Sequence, residues 1–209
     1  MITHVLKTQR RTKIVYKEIP LIFGISGLAR CGKDTFAKYL SLKLKKHQYP
    51  VSTVSFASAV KKDLDKFTKE SLNISSFTEN KKEKEIIRPL LVSYATDVCR
   101  NKIDKDFWIK KVSKRIENSV ENKIIILIPD VRYGNEAKWI KKMGGYVIHI
   151  HRINNKPANF EEKANDPIVK NMADFKIKWK NFNNEKQTCH NHIAKLFKKN
   201  GWSLYGEFK

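Results

Sequence analysis

Beginning at Pro20, short apolar runs alternate with longer amphipathic stretches almost to the end of the chain. A parallel sheet covered by helices requires this alternation, because a strand buried on both faces reads as a compact apolar run, while a covering helix shows its apolar face every third or fourth residue. The runs predict strands at residues 21–25, 51–56, 124–128, 146–150 and 175–179, and the stretches after the first four have helical spacing. Phe36, Leu40 and Leu44 fall on one face of a helix that Pro50 prevents from continuing. Trp139, Ile140 and Met143 mark another before Gly144 and Gly145, and a last helix over 185–198 closes the sheet. Residues 61–115 are helical in pattern apart from the polar stretch 73–80, which makes them an insertion over one end of the sheet; residues 154–172 read as a second irregular stretch. The predicted architecture is a three-layer α/β/α fold around five parallel strands, in one domain over 20–209 behind a basic extension at 1–19.

A chain of 209 residues, 41% of them hydrophobic, buries one sizeable core. Its longest apolar run, 124–128, falls far short of the roughly 20 residues that span a bilayer, so no membrane partner is expected. The acid-free start, 1–17, lacks the amphipathic helix of a transit segment and reads as a surface extension. The 43 Lys and Arg against 21 Asp and Glu give a formal net charge of +22, which suits a nucleic acid, a membrane surface or a phosphorylated small molecule. Coulomb attraction does not choose among these, and in a chain so rich in Lys, Asn and Ile much of the charge is solvated surface. Cys31, Cys99 and Cys189 are odd in number and unrelated in spacing, which points to the reducing cytoplasm rather than to a disulfide framework.

The densest chemical signal is Gly27-Leu28-Ala29-Arg30-Cys31-Gly32-Lys33-Asp34-Thr35, between the first predicted strand and the first predicted helix. Glycines at 27 and 32 let successive backbone N–H groups converge on phosphate oxygens, the helix start adds positive potential, and the Lys33 ammonium reaches a phosphoryl group in transfer. A tight strand-to-helix turn would account for the glycines and leave Lys33 and Thr35 unexplained. Gly27, Ala29, Arg30, Cys31, Gly32, Lys33, Asp34 and Thr35 are therefore candidate ATP contacts. In the strict motif a hydroxyl directly after the lysine binds Mg2+; here Asp34 stands there with Thr35 next, so Asp34 either holds the metal through water or caps the helix.

The third predicted strand runs into Pro129-Asp130-Val131-Arg132. At the carboxyl edge of a parallel sheet Asp130 is placed as a metal carboxylate, and Arg132 can offset charge on the transferring group; the alternative is a surface Asp–Arg pair. Lys33, Arg132 and Asp130 are the candidate catalytic groups, and Asp34, Thr35 and Asp130 the candidate Mg2+ ligands. Cys31 sits at a helix N-terminus, which lowers a thiol's pKa, so oxidants or alkylators are expected to inactivate. Cys189-His190-Asn191-His192 crowds one turn without a second ligand pair at zinc spacing, and His149 and His151 share a strand face and read as packed.

Together these blocks resemble the deoxynucleoside monophosphate kinase family best known from bacteriophages, and more distantly animal phosphomevalonate kinase. The likeness runs from Leu21 to about Phe197 through five blocks: the phosphate loop, Phe56-Ala57-Ser58-Ala59-Val60-Lys61, Arg88-Pro89-Leu90-Leu91 through Thr96-Asp97, Asp106-Phe107-Trp108, and Asp130-Val131-Arg132 with Asn135-Glu136 and a Gly-Gly strand ending in Arg152. It implies a P-loop NTPase fold with a helical acceptor-binding insertion at about 61–115 and a lid at about 153–172. It also implies that ATP with Mg2+ phosphorylates a nucleoside monophosphate, that Lys61, Arg88 and Arg100 face the acceptor phosphate, and that relatives are often homodimers. Asp97, Asp106 and Trp108 match acceptor-region positions, although Trp108 at helical spacing with Val112 is as well placed for the core. Arg152 would stack on adenine or clamp phosphates. Val92 and Ala95 replace the family's usual Gln and Gly, and Asn165-Asp166-Pro167 replaces a His-x-Ser-Glu stretch, departures that bear on substrate choice.

Two other readings fit the loop: a kinase of another phosphorylated metabolite, such as phosphomevalonate or dephospho-coenzyme A, and a nucleic-acid-binding ATPase or polynucleotide kinase. No aromatic-interleaved basic groove favours the latter.

Overall fold

The computed structural model describes residues 18–180 and 184–204, so residues 1–17 of the basic extension lie outside the described residues. Strands β1 (Ile22–Ser26), β2 (Val51–Thr53), β3 (Ile125–Val131), β4 (Tyr146–Arg152) and β5 (Phe175–Trp179) pair in parallel in the order β2-β3-β1-β4-β5. The helices are α1 (Lys33–Lys46), α2 (Phe56–Leu72), α3 (Lys81–Val92), α4 (Phe107–Glu121), α5 (Gly134–Lys142), α6 (Phe160–Met172) and α7 (Glu185–Asn200). A π-helix, Ser93–Ile103, joins α3 to α4 and closes with Asp104 N–H donating to the Cys99 carbonyl five residues back, at 2.9 Å.

Period-2 alternation along the strands divides the interior into two cores. Phe23, Ile25, Leu127, Ile148 and Ile150 pack with Phe36, Leu40 and Leu44 of α1 and Ile193 and Leu196 of α7. On the opposite face Ile22, Ile126, Ile128 and Val147 pack with Ile116 of α4, Ile140 of α5 and Val169 of α6. The neighbours β1 and β3 thus feed helices on opposite faces, α1 and α5, and a crevice opens between their carboxyl ends. Ser26 is level with Val131 on one side and His149 on the other, which brings the phosphate loop beside Asp130.

Two predicted stretches differ. The strand expected over 51–56 stops at Thr53, because the Ser55 hydroxyl accepts from Ser58 N–H at 3.1 Å and starts α2 at Phe56. The stretch 154–172, expected to be irregular, is helical from Phe160. Asn159 caps α6 through Glu162 N–H at 2.9 Å, Glu161 and Glu162 oppose the helix dipole, and burial of Val169 outweighs the interior Pro167. Among the described residues no helix is long and apolar enough to cross a membrane.

Leu40 is fully enclosed between β1 and α7. Leu40→Ala is expected to lower unfolding free energy by about 3 kcal/mol in urea titration, the usual cost of such a cavity.

Candidate active site

Between β1 and α1 the backbone turns through positive φ at Gly27 (133°), Arg30 (59°) and Gly32 (98°). A Cβ on Gly27 would lie 2.2 Å from the Ile150 carbonyl oxygen and 2.8 Å from Cys31 Sγ, so this position takes only glycine. The buried Lys33 ammonium folds back into the loop, donating to the Gly27 carbonyl at 2.8 Å and the Leu28 carbonyl at 2.7 Å. Trp179 Nε1 donates to the Cys31 carbonyl at 2.9 Å and Asn155 Nδ2 to the Ala29 carbonyl at 2.8 Å, so β5 and the β4–α6 connection brace the loop. Asp34 is exposed in the first turn of α1 and Thr35 is half-buried beside it. Arg152 reaches the Arg30 carbonyl at 3.4 Å from the end of β4.

The expectation for Cys31 is corrected. It is fully buried, and desolvation pushes its thiol above the ordinary value despite the nearby Lys33 ammonium, which opposes the shift. The helix N-terminus does not activate a thiol that water cannot reach.

Two carboxylates organise the far side of the crevice. Asp130 Oδ2 accepts from the Ser55 hydroxyl at 2.8 Å and Ala57 N–H at 2.7 Å, and its Oδ1 accepts from Phe56 N–H at 3.2 Å, so Asp130 anchors the start of α2. Burial pushes its pKa up, with these donors and Arg132 pulling the other way. Glu136, in the first turn of α5, accepts from Arg132 N–H at 2.8 Å and Tyr133 N–H at 3.1 Å through Oε2, and from Arg100 Nη2 at 2.8 Å through Oε1. Burial raises Glu136 as well, against the Arg100 charge. The Arg100 guanidinium also lies over the Tyr133 ring, 3.8 Å from its centre, and donates to the Lys105 carbonyl at 3.2 Å.

These groups border a cavity of about 340 Å³. It opens against Ser26, Gly27 and Leu28 and is lined by Lys61, Arg88, Arg100 and Arg132, by apolar side chains such as Val60 and Leu91, and by Glu161, Glu162 and Asp166 of α6. Arg88 is exposed, with no hydrogen-bond or ion-pair partner among the described residues. Of the candidates named from sequence, Gly27, Lys61, Arg88, Arg100, Trp108, Asp130 and Arg132 meet here. The rest of the loop lies beside it, and Arg152 borders a second depression of about 450 Å³ with Asn155 and Lys180.

Asp97 and Asp106 lie outside the cavity. Thr96 and Arg100, four residues apart on one face of the π-helix, reach the wall and Asp97 is exposed, while Asp106 accepts from Asn135 Nδ2 at 2.8 Å. Trp108 is 1% exposed, edge-on to Tyr94 and Phe107, and its indole N–H donates to the Ala95 carbonyl at 3.0 Å; it is core that forms cavity floor. Buried His149 pairs through Nε2 with Asp166 at 3.0 Å. In α7, burial raises the Cys189 thiol to about 11, and His190 and His192 stand edge-on to Tyr39 and Trp179. Among the described residues no three His, Cys, Asp or Glu are grouped to hold a metal ion.

Sequence reasoning did not single out Tyr133 or Glu162, and it noted Glu136 and Asp166 only within blocks compared with the family, without a role for either. Asn159-x-x-Glu162 carries a helix-start signature that could have revealed Glu162. No local signal marks the Arg100–Glu136 pair, whose members are 36 residues apart.

The sequence model of the deoxynucleotide monophosphate kinase family matches residues 41–167. The chain belongs to that family. As a deoxynucleotide monophosphate kinase it is an ATP-dependent enzyme acting on a nucleotide. The family match covers the insertion, β3, β4 and the first half of α6. No curated protein matches the chain. Among solved structures, the kinase is similar to a dephospho-CoA kinase from Campylobacter jejuni (19% identity, 87% of this chain and 100% of that one, TM-score 0.49). It is also similar to TT1252 from Thermus thermophilus (12%, 86% and 98%, TM-score 0.49) and to a shikimate kinase from Acinetobacter baumannii (11%, 87% and 94%, TM-score 0.43).

Two outcomes follow from the loop. Gly27→Ala is expected to remove measurable ATP binding in calorimetry, since the added methyl displaces the loop or β4. At pH 8 the raised thiol of Cys31 stays protonated, so iodoacetamide should label it in the native kinase far more slowly than in urea, as read by peptide mass spectrometry.

Proposed function

We propose that the acceptor deoxynucleoside monophosphate occupies the 340 Å³ cavity, its phosphate toward Lys61, Arg88 and Arg132 and its base over the apolar floor. The observation that carries this reading is the convergence of cationic side chains from α2, α3, the π-helix and the end of β3 on one cavity beside the phosphate loop. Arg88, having no anionic partner among the described residues, suits a dianionic phosphate; Arg100, committed to Glu136, supplies a fixed positive wall. The phosphates of ATP take the amides of the loop from Gly27 to Thr35, and its base lies in the neighbouring depression against Arg152.

The ATP phosphates draw the Lys33 ammonium from the Gly27 and Leu28 carbonyls to the transferring group, where Arg132 shares the developing charge. Mg2+ fits this design: Asp130 lines the cavity and its Oδ1 accepts a single hydrogen bond, leaving a lone pair for a metal-bound water, and Asp34 and Thr35 add oxygen donors at the start of α1. When bound there, Mg2+ would supply charge neutralisation to the phosphates of ATP. Catalysis then consists of alignment and charge compensation, with no covalent enzyme intermediate. The free, buried thiols suit a reducing cytoplasm.

Labelled ATP offered to each deoxynucleoside and ribonucleoside monophosphate, and to other phosphorylated metabolites, tests the assignment. Lys33→Ala should lower kcat at least about hundredfold with its far-UV circular dichroism retained. Arg88→Ala should raise the acceptor KM roughly tenfold while the ATP KM holds. An acceptor KM indifferent to Arg88 would remove the phosphate from this cavity.

A further inference from the structure

Glu162 occupies the third position of α6, where an acidic side chain normally serves its own helix, and its Oε2 does accept from Ala158 N–H at 3.1 Å. The same oxygen accepts from Ala29 N–H at 3.2 Å, inside the phosphate loop. Its other oxygen accepts from Arg132 Nη1 at 2.9 Å. The Glu162 side chain is 8% exposed, so its carboxylate is largely out of water, while Arg132 stays half-exposed.

A phosphate-loop amide and an arginine at the adjacent strand end are donors suited to phosphate oxygens. In the free protein both are taken by a carboxylate of the chain itself. Asn155, from the same connection, holds the Ala29 carbonyl, so the β4–α6 segment grips this loop residue through both its N–H and its C=O. The Lys33 ammonium meanwhile rests on loop carbonyls, leaving the donors at Ala29 and Arg132 to Glu162.

We propose that the Glu162 carboxylate is an internal stand-in for a phosphate of ATP, holding Ala29 and Arg132 in the free enzyme and surrendering them when the nucleotide binds. The inference rests on the nucleotide reading of the loop. The competition is intramolecular, so the apparent affinity for ATP is reduced by the fraction of chains in which Glu162 is docked. Release frees the first turn of α6, which ties nucleotide occupancy to movement of the β4–α6 connection.

The test measures ATP binding to the full chain by calorimetry for wild type, Glu162→Gln and Glu162→Asp. Aspartate keeps a negative charge in the first turn of α6 but is one methylene too short to reach the loop. Both variants are expected to bind ATP roughly tenfold more tightly, in line with the loss of a charged hydrogen-bonding competitor. Their nucleotide-free Tm should fall, and the rise in Tm on adding saturating ATP should exceed that of wild type. Unchanged or weaker ATP binding by the folded aspartate variant would reduce Glu162 to a helix cap. If neither variant folds, amide hydrogen exchange of the wild type decides: faster exchange at residues 158–162 on adding ATP supports the proposal, and unchanged or slower exchange overturns it. A wild-type chain that fails to bind ATP at all strikes the nucleotide reading, whereas unaltered affinity in the variants strikes only the role of Glu162.

Discussion

The passage of the chain from β1 into α1 depends on the backbone at Gly27 running directly against the Ile150 carbonyl on β4, an approach that leaves no room for a Cβ. That contact turns the chain at the carboxyl edge of the sheet instead of letting β1 extend. It also curls the following residues so that carbonyls of Gly27 and Leu28 enclose the Lys33 ammonium. The helix that starts there directs its positive end at the crevice, and its apolar face closes one core against the sheet.

Around this turn, the crevice is organised by carboxylates bonded to backbone amides at helix starts. Asp130 takes the amides opening α2, Glu136 those before α5, and Glu162 those before α6 and within the phosphate loop. Each carboxylate satisfies donors that a helix leaves unpaired, and each also engages or neighbours an arginine. The helix positions and the cationic wall are thereby set by the same ionic contacts, so the cavity's shape and its potential arise together. In a chain with a formal charge of +22, these few acids decide which cations are held and which, like Arg88, stay available.

Strand periodicity was legible along β1, β3 and β4 because burial on both faces leaves compact apolar runs, and along the edge strand β5 because Phe175, Ile177 and Trp179 alternate with exposed lysines. Where local chemistry competed with that pattern, the apolar reading overshot: the Ser55 cap took Phe56 from β2 into α2. The opposite error occurred at Asn165-Asp166-Pro167, whose turn-forming residues hid a helix held by its Asn159 cap and by Val169 packing. Asp97 and Asp106 show a third kind of limit. Position in sequence does not reveal that 93–103 is a π-helix, nor that the face with Thr96 and Arg100, rather than Asp97, meets the cavity.

By itself the sequence determined the parallel α/β plan, the phosphate loop and the residue types available for anion chemistry, because these are written in local periodicity and in contiguous spacing. Tertiary structure alone decided that Cys31 is a buried, protonated thiol, that Arg100 is spent on Glu136, and that Glu162 sits among the loop's donors. Burial and pairing depend on groups brought together from distant parts of the chain, and no window along the sequence contains both partners.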